Sequence, residues 1–213
     1  GDGGGDGEGL AIMAIPKRES PLDCFLSATG APLNALPAGA IIGTASLRRQ
    51  ALLQRHRPDL QVRLLRGNIN SRLEKLARGE VDGMVLAVAG LRRLQLEKHI
   101  TEILSAEHFP PAPSQGAVVL VGRRGDADMA MLAQVIHDQP TAQAVLLERQ
   151  FLRLLDGSCK TPIGCLVELR GGQLSILGFV ANGDLSQPRQ KTMVGAVADG
   201  QMIIKELAES LRN

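Results

Sequence analysis

The central part of the chain alternates between short apolar runs and segments in which apolar residues recur with helical spacing. The apolar runs predict buried strands at residues 40–43, 60–66 and 83–90. Between the first two runs, residues 46–56 predict a helix with leucine and alanine on one face. A second helix is predicted to open with a capping box of Ser71 and Glu74 and to end at Gly79. Strands that alternate with helices in this way predict a parallel sheet covered on both faces.

Other elements flank this alternation. Strands are predicted at residues 10–16, within 19–27, and at 115–122. Later in the chain, helices at residues 128–138 and 141–155 precede strands at 165–170, 173–180 and 192–197 and a last helix from Gly200. Helices grouped before strands are typical of a small α+β domain. The chain therefore divides into residues 1–39, with a flexible start and with 113–125 as partner, then residues 40–112, and then residues 126–213.

Composition narrows the class of protein. A chain of 213 residues, 44% of them hydrophobic, can bury the core of one large or two modest domains. Its longest apolar run, at residues 84–89, is far shorter than the ~20 residues of a membrane-spanning helix. The first residues lack the basic-then-apolar pattern of a secretion signal, so we expect a cytoplasmic protein. Three irregularly spaced cysteines predict neither a disulfide framework nor a metal site.

Arginines follow the predicted strands of the central sheet. In an open parallel sheet, ligands bind outside the carboxyl ends of the strands, where helix N-termini add backbone N–H donors. The residues at these positions are Thr44, Ser46, Arg48 and Arg49 after the first strand, Arg66 and Arg72 after the second, and Gly90, Arg92 and Arg93 after the third. Because a guanidinium pairs with a carboxylate or phosphate through two parallel hydrogen bonds, the array predicts a ligand with several anionic groups.

The distribution of charge agrees with an anionic ligand. Residues 41–100 hold twelve Lys/Arg and five Asp/Glu, although the net charge of the whole chain is only +2. The alternative, a solvated surface with routine ion pairs, is favoured for the arginines placed away from the edge, which are Arg55, Arg57, Arg63 and Arg78. Nucleic acid is disfavoured as the anion, since the chain has no Trp, no Tyr and only four Phe to stack on bases.

One of the three cysteines lies in a turn sequence. Cys159 is part of GSCKTPIG, where Gly and Ser favour an exposed turn and the nearby Lys160 and Arg153 favour the thiolate. Cys24 and Cys165 are interpreted as buried and inert thiols. The residues alone leave open whether Cys159 is reactive.

Several motifs resemble those of the porphobilinogen deaminases. LPAGAIIG, GTASLRRQ, LLRGNINSRLEKL, LAVAGLRRL, QGAV and ERQFLRLLDGSCKTPIG occur in the order and with the kind of spacing found in that family, and the match extends from Gly9 to about Asn213. The resemblance implies an α/β fold. It would comprise a parallel-sheet domain of the periplasmic-binding-protein-like type, the remnant of a second such domain, and a small C-terminal α+β domain that carries the cofactor cysteine.

The resemblance also implies an activity, a cofactor and site residues. The family joins four porphobilinogen units head to tail into hydroxymethylbilane, releasing ammonia, in tetrapyrrole (haem) biosynthesis. The chain grows on a dipyrromethane cofactor, which a thioether links to the cysteine that matches Cys159. Each pyrrole carries an acetate and a propionate, so the ligand is a polycarboxylate. The residues implied to bind its carboxylates are Ser46, Arg48, Arg49, Arg66, Arg72 and Arg93, with Thr44, Gly90 and Gln115 lining the cleft.

The chain departs from the family pattern at the acid–base residue. In the family, the aspartate of a Lys-Asp pair in the first domain is implied to protonate the leaving amine and to stabilise cationic intermediates. No aspartate of these 213 residues follows a lysine, so no catalytic residue is assigned. Ser114 and Val121 also replace a usual glycine and a common acidic residue. Either the chain is a shortened form of an active enzyme or it is a degenerate relative; the intact arginines and Cys159 favour the first, with impaired or no activity in this form.

The expected partner is the small molecule porphobilinogen, bound by a monomer, with no nucleic acid and no membrane. The alternative function is a non-catalytic anion-binding or solute-binding module, because paired α/β domains with a cationic cleft also serve that role. Cys159 discriminates between the two hypotheses, since only the transferase would carry a covalent dipyrromethane on that thiol.

Overall fold

The computed structural model of the protein describes residues 9–155 and 161–212. Its strands in these ranges are β1 (Leu10–Ala14), β2 (Asp23–Ser27), β3 (Ile41–Gly43), β4 (Gln61–Arg63), β5 (Gly83–Ala87), β6 (Glu102–Ile103), β7 (Leu120–Arg123), β8 (Ile163–Arg170), β9 (Gln173–Val180) and β10 (Arg189–Ala196). Its helices there are α1 (Leu47–His56), α2 (Ile69–Ala77), α3 (Val88–Arg93), α4 (Ala127–Ile136), α5 (Gln139–Leu154) and α6 (Gly200–Leu211). Across the described ranges, no helix combines the length and the apolar character that crossing a bilayer requires.

A five-stranded mixed sheet carries the arginine loops, in the order β4-β3-β5-β2-β6. β3 is parallel to β4 and to β5, as the alternation of strands and helices predicts. The sheet as a whole is mixed, because β2, which was not part of the predicted alternation, runs antiparallel to β5 and β6. A continuous apolar run indicates that a strand is buried on both faces, but the connections determine its direction. Between β2 and β3 the chain forms only a short 3-10 turn and no crossover helix.

The pairing of β2 also differs from the predicted unit boundaries. A boundary at residue 39 assigns β2 to the first unit, but β2 pairs along its whole length with β5, from Asp23 opposite Ala87 to Ser27 opposite Gly83. Phe25 of β2 joins the core cluster of the central sheet. β2 is therefore a strand of the central sheet, while β1 and β7 form a separate two-stranded antiparallel sheet.

Two helices begin beside the carboxyl ends of the parallel strands. Ser46 caps α1, since its hydroxyl accepts the Arg49 N–H at 3.3 Å. Asn68 caps α2, because its side-chain oxygen accepts the Ser71 N–H at 2.8 Å. The predicted capping box that starts at Ser71 is therefore wrong, and the helix begins earlier, after an equally good capping residue. Gly79 follows the end of α2 with a φ of +74°, as predicted.

β5 ends earlier than its apolar run predicts. The strand stops at Ala87 and α3 starts at Val88, so Gly90 lies in a helix rather than in a strand. Periodicity cannot separate a buried strand from a buried helical turn in so short a run. A Cβ added at Gly90 would lie 3.1 Å from the Ile69 side chain. The glycine therefore allows α3 to approach the first turn of α2.

The C-terminal part packs α5 and α6 against one face of an antiparallel sheet in the order β10-β9-β8. Phe151, Ile176 and Leu207 are fully buried in its core. The members of this core on β8 (Ile163, Cys165 and Val167) and on β9 (Leu174 and Ile176) alternate along each strand, so they lie on the face that the helices cover. α5 also carries the fully buried Glu148, which faces the segments that lead into the central sheet.

Two such segments, residues 15–22 and 110–118, run side by side between the β1–β7 sheet and the central sheet. The Glu19 N–H donates to the Gly116 carbonyl at 3.1 Å. Gly116 has a φ of +79°, and a Cβ there would lie 2.5 Å from the Ser20 carbonyl oxygen. Ser114, close by, has a φ of +67°, and its buried hydroxyl lacks a hydrogen-bond partner. Ser114 therefore combines a conformation that favours glycine with an unsatisfied polar atom.

We predict that Ser114→Gly stabilises the protein. The change removes both the left-handed strain and the unsatisfied hydroxyl, and the greater freedom of glycine in the unfolded chain partly offsets the gain. We expect a net increase of about 1 kcal/mol in the free energy of unfolding, measured by urea denaturation. Ser114→Ala is the matched control, because it removes the hydroxyl but keeps the strained Cβ and should gain less. A Ser114→Gly variant no more stable than Ser114→Ala would contradict the argument from strain.

Candidate functional site

A buried carboxylate, Asp23, lies at the centre of the predicted arginine edge. It is fully buried at the start of β2, opposite the end of β5. Its Oδ2 accepts from Arg48 Nη1 at 2.9 Å, and its Oδ1 accepts from Arg48 Nη2 at 3.2 Å. Arg49 donates to Oδ1 from Nη2 at 2.9 Å and from Nε at 3.3 Å. Gln115 Nε2 also donates to Oδ1, at 2.9 Å. The two consecutive arginines and Gln115 thus converge on one carboxylate.

The charge of Asp23 is fixed by these partners. Burial raises the pKa of its carboxyl, because an apolar environment disfavours the charged form. The positive charges and hydrogen bonds of Arg48 and Arg49 together outweigh burial and lower the pKa to about 2. Asp23 is therefore ionised at neutral pH and acts as a permanent negative charge rather than as a proton donor.

Arg48 directs its guanidinium into the protein. Its side chain is only 6% exposed. Besides its two bonds to Asp23, Nη1 donates to the Pro110 carbonyl at 2.6 Å and Nη2 donates to Gln115 Oε1 at 3.3 Å. Burial lowers the pKa of Arg48, and the Asp23 carboxylate opposes that change. Arg48 therefore links α1 to β2 and to the segment 110–118 through contacts made inside the protein.

Arg49 and Arg72 place two positive charges near each other at the edge. Burial and the nearby charge of Arg49 lower the pKa of Arg72. Arg72 Nε donates to the Gly67 carbonyl at 2.8 Å. Apart from Asp23, the Arg49 guanidinium has one further partner among the described residues, a long contact of 3.4 Å from Nη1 to the Val85 carbonyl. Among the described residues, Asp23 is the carboxylate that these arginines share, which leaves an excess of positive charge that an anion would neutralise.

The other predicted residues surround this group without joining it directly. Thr44 is buried, and its hydroxyl accepts the Ser46 N–H at 3.1 Å, which shapes the turn before α1. Arg66 and Arg93 are exposed, and neither side chain bonds to another described residue. The structure thus brings together Arg48, Arg49, Arg72 and Gln115, whereas Arg66, in the loop after β4, and Arg93, the last residue of α3, have free side-chain donors.

The arginines interpreted as surface residues all have partners elsewhere. The partners are Gln190 and the Phe179 ring for Arg55, Asp59 for Arg57, the Glu80 carbonyl for Arg63, and the Glu80 carboxylate for Arg78. Their guanidinium groups do not contact Asp23, so they stand apart from the group at the sheet edge.

A second buried carboxylate, Glu148, lies in the interface with the C-terminal part. Glu148 on α5 is fully buried and accepts from Arg18 Nη1 and Nη2 at 2.6 and 2.8 Å. The backbone N–H groups of Ser114 and Val167 donate to it at 2.8 and 3.1 Å. This bidentate pair therefore ties both crossing segments to α5 and β8.

Gln115 connects the two buried carboxylates. Its carbonyl accepts from Arg18 Nε at 2.8 Å, while its side-chain amide donates to Asp23 and to the Pro21 carbonyl. Its side-chain oxygen accepts from Arg48. The residue predicted to line the cleft thus also joins the arginine edge to the C-terminal part of the molecule.

Two of the three cysteines, Cys24 and Cys165, lie in the described residues. Cys24 and Cys165 are fully buried, as predicted. Burial raises the pKa of the Cys24 thiol to about 12, and burial together with the charge of Glu148 raises that of Cys165. Cys159 lies outside the described residues. Across residues 9–155 and 161–212, no cluster of His, Cys, Asp and Glu is suited to hold a metal ion.

Asp23, Arg18 and Glu148 are site residues that the sequence motifs did not indicate. The sequence does carry a signal, since Asp23 opens the apolar run DCFL, and Glu148 has apolar residues one helical turn away on each side, Ala144 and Phe151 among them. A carboxylate in such a place is buried only if cations or N–H donors face it. An acid in an apolar run therefore indicates that arginines or other N–H donors pack against it.

The geometry defines a mixed α/β protein that presents arginines around a buried carboxylate, an arrangement suited to binding an anionic ligand. Family models identify the group more closely. Residues 6–131 match the model described as porphobilinogen deaminase, dipyromethane cofactor binding domain, and residues 142–213 match the model of the porphobilinogen deaminase C-terminal domain. The chain belongs to the porphobilinogen deaminase family, and the predicted resemblance is confirmed.

Individual proteins give the extent of the similarity. A curated porphobilinogen deaminase of Nitrobacter hamburgensis is 45% identical over 201 residues, which are 94% of this chain and 64% of that protein. The chain therefore spans somewhat less than two thirds of the length of this relative. A crystal structure of YhfZ from Shigella flexneri gives a TM-score of 0.31 at 15% identity, covering 68% of this chain and 63% of that one. This likeness is too low to support a conclusion.

We predict that Arg48→Ala destabilises the whole protein rather than only weakening the site. The change removes the guanidinium that faces both oxygens of the buried Asp23. Breaking a buried ion pair in this way costs about 3–5 kcal/mol in the free energy of unfolding, which urea denaturation measures. Arg66→Ala is the control, since this exposed side chain has no described partner and its loss should change stability by less than about 0.5 kcal/mol. Equal unfolding midpoints for the two variants would show that the buried pair has no structural role.

Proposed function

We propose that the protein acts as a hydroxymethylbilane synthase-type transferase, which joins four porphobilinogen units head to tail and releases ammonia, in tetrapyrrole (haem) biosynthesis. The observation that carries the proposal is the excess of arginine over carboxylate at the sheet edge, where Arg48 and Arg49 bond to Asp23 and Arg72 lies near Arg49. The acetate and propionate of each pyrrole are carboxylates, which guanidinium groups bind through two parallel hydrogen bonds. Membership of the porphobilinogen deaminase family supports the same substrate.

The arrangement of the central sheet and the β1–β7 sheet is also suited to this function. We infer that the central unit and the unit of β1 and β7 are paired lobes of the periplasmic-binding-protein-like type. Two crossing segments, residues 15–22 and 110–118, support this inference, because paired lobes need more than one connection between them. A monomeric state and a cytoplasmic location remain predictions.

The residues present fit a dipyrromethane cofactor. The group is a polycarboxylate, and the edge offers the donors of Arg49 that Asp23 does not use, the guanidinium of Arg72, and the free donors of Arg66 and Arg93. When bound, the cofactor supplies the end to which porphobilinogen is added. Ser46 and Thr44 would lie at the start of α1, where backbone N–H groups favour negative charge.

Cys159 is the proposed attachment point. The burial of Cys24 and Cys165 supports this assignment, since a thiol without solvent access and with a raised pKa neither ionises readily nor reaches a ligand in the cleft. Of the three cysteines, only Cys159 is left as a candidate for a thioether.

We predict that Cys159→Ala abolishes covalent attachment, whereas Cys24→Ala does not. The protein for this test is the chain joined to the part of the Nitrobacter hamburgensis relative that it does not match, expressed with porphobilinogen present. Intact-protein mass should exceed that of the bare polypeptide, and Ehrlich's reagent should give a pyrrole colour, in all variants except Cys159→Ala. A bare polypeptide mass for every variant would contradict both the cofactor and its attachment point.

We also propose that these 213 residues do not complete the reaction by themselves. The polymerisation needs a group that protonates a leaving amine. Asp23, the acid at the centre of the site, has a pKa lowered to about 2 by its arginines, which makes it a poor proton donor at neutral pH. The same observation favours the second candidate function, a module that binds a carboxylate ligand without chemistry.

We predict no consumption of porphobilinogen by the 213 residues alone, and consumption by the joined protein described above. The measurement is the loss of porphobilinogen together with the appearance of uroporphyrin after oxidation. Calorimetric titration of the 213 residues with porphobilinogen gives the binding control, because binding without turnover is the expected result. Turnover by the 213 residues alone would contradict this part of the proposal. Absence of turnover in the joined protein would favour the binding module.

A further inference from the structure

The position of the Asp23 carboxylate is fixed by the sheet. Its residue pairs with Ala87 of β5 on one side, and its carbonyl accepts the Leu104 N–H at 2.9 Å on the other. The side chain is fully buried between α1 and the segment 110–118. The carboxylate therefore cannot move without disrupting the central sheet.

Arg48 and Arg49 bond to the fixed Asp23 carboxylate in different ways. Arg48 donates to both carboxylate oxygens and also donates to the Pro110 carbonyl and to Gln115 Oε1 inside the protein. Arg49 approaches Oδ1 alone, through Nε and Nη2, and its side chain is 12% exposed. A guanidinium has five N–H donors in a rigid plane. Fixing Nε and Nη2 sets the direction of that plane while leaving other donors of Arg49 available.

The positive charges of Arg48, Arg49 and Arg72 explain why Arg49 needs a fixed carboxylate to hold its orientation. Arg48 and Arg49 are consecutive, and Arg72 lies close enough to Arg49 for their charges to interact. Like charges at this separation repel each other, and long side chains at a surface adopt many rotamers. In the described part of the chain, Asp23 is the carboxylate bonded to this group. Without it, Arg49 would have nothing but the long contact with Val85 to hold its orientation.

We propose that Asp23 is a positioning residue for ligand binding, which orients Arg49 so that its remaining donors meet a carboxylate of the ligand. Arg48 serves as the inner support that holds the Asp23 carboxylate in place. The inference rests on the proposed function in that the ligand is taken to be a carboxylate. It assigns to consecutive arginines two separate tasks, support for Arg48 and ligand contact for Arg49.

The test compares Asp23→Asn with Asp59→Asn in the full chain. Asp59 forms a similar bidentate pair with Arg57 near the other end of α1, partly exposed and away from the site, so it is a matched control. Porphobilinogen and citrate are titrated separately by calorimetry, because the chain has no Trp or Tyr for intrinsic fluorescence. Asp23→Asn should bind about tenfold more weakly, and Asp59→Asn should bind like the wild type.

A double-mutant cycle with Arg49→Lys separates positioning from general stability. Lysine lacks the planar pair of donors, Nε and Nη2, through which Arg49 bonds to Asp23 Oδ1. Arg49→Lys therefore already loses the contact that orients the side chain. The double variant Asp23→Asn/Arg49→Lys should therefore bind no more weakly than Arg49→Lys alone. Additive losses would overturn the proposal, because they would mean that Asp23 acts independently of Arg49.

Side-chain NMR of the wild type keeps the proposal testable if Asp23→Asn does not fold. The Arg49 Nε–H signal should exchange with water at least about tenfold more slowly than that of the exposed Arg78. Equal exchange rates would overturn the proposal. If the wild type binds citrate but not porphobilinogen, the proposed function fails, while the effect of Asp23 is still measured with citrate. If it binds neither, both fail.

Discussion

The carboxylate of Asp23 has no access to water, and removing such an ion from water costs several kcal/mol unless cations and hydrogen-bond donors face it. Arg48 and Arg49 meet this requirement so fully that the pKa of the carboxyl falls to about 2. The partners come from different segments of the chain, since the arginines begin α1 and Gln115 belongs to a crossing segment. Satisfying a single buried charge therefore holds the strand, the helix and the crossing segment in one relative position.

A second buried carboxylate, Glu148, is neutralised in the same way in the interface with the C-terminal part, where Arg18 and backbone N–H groups donate to it. This second carboxylate gives a reason for the unfavourable conformation of Ser114. The left-handed backbone of Ser114 accompanies an N–H that points at Glu148, at 2.8 Å. A charged acceptor makes this hydrogen bond stronger than an ordinary one, which offsets the strain. Gln115, the next residue, then reaches the first carboxylate, so the two buried acids depend on the same short segment.

Much of this arrangement could be predicted from the sequence, because it depends on local pattern. The helix after Ser46, the buried runs of β3 and β5, and the arginines at the strand ends all follow from periodicity and position. The direction of β2 could not be predicted, since it depends on tertiary pairing. Nor could the role of Asp23, which becomes visible only when residues 25 and 92 positions away in the sequence lie beside it.

The ion pairs that hold the Asp23 carboxylate in place also limit what it can do in a reaction. A carboxyl with a pKa of about 2 does not carry a proton at neutral pH, and a guanidinium does not release one. Within the described residues, no histidine hydrogen-bonds to Asp23, Arg48, Arg49, Arg72 or Gln115. In the proposed reaction, a proton donor for the leaving amine must have a pKa closer to neutrality, and such a value requires fewer cations around it. Strong carboxylate binding and proton transfer therefore need different environments, so the group around Asp23 is suited to hold the ligand while another residue moves the proton.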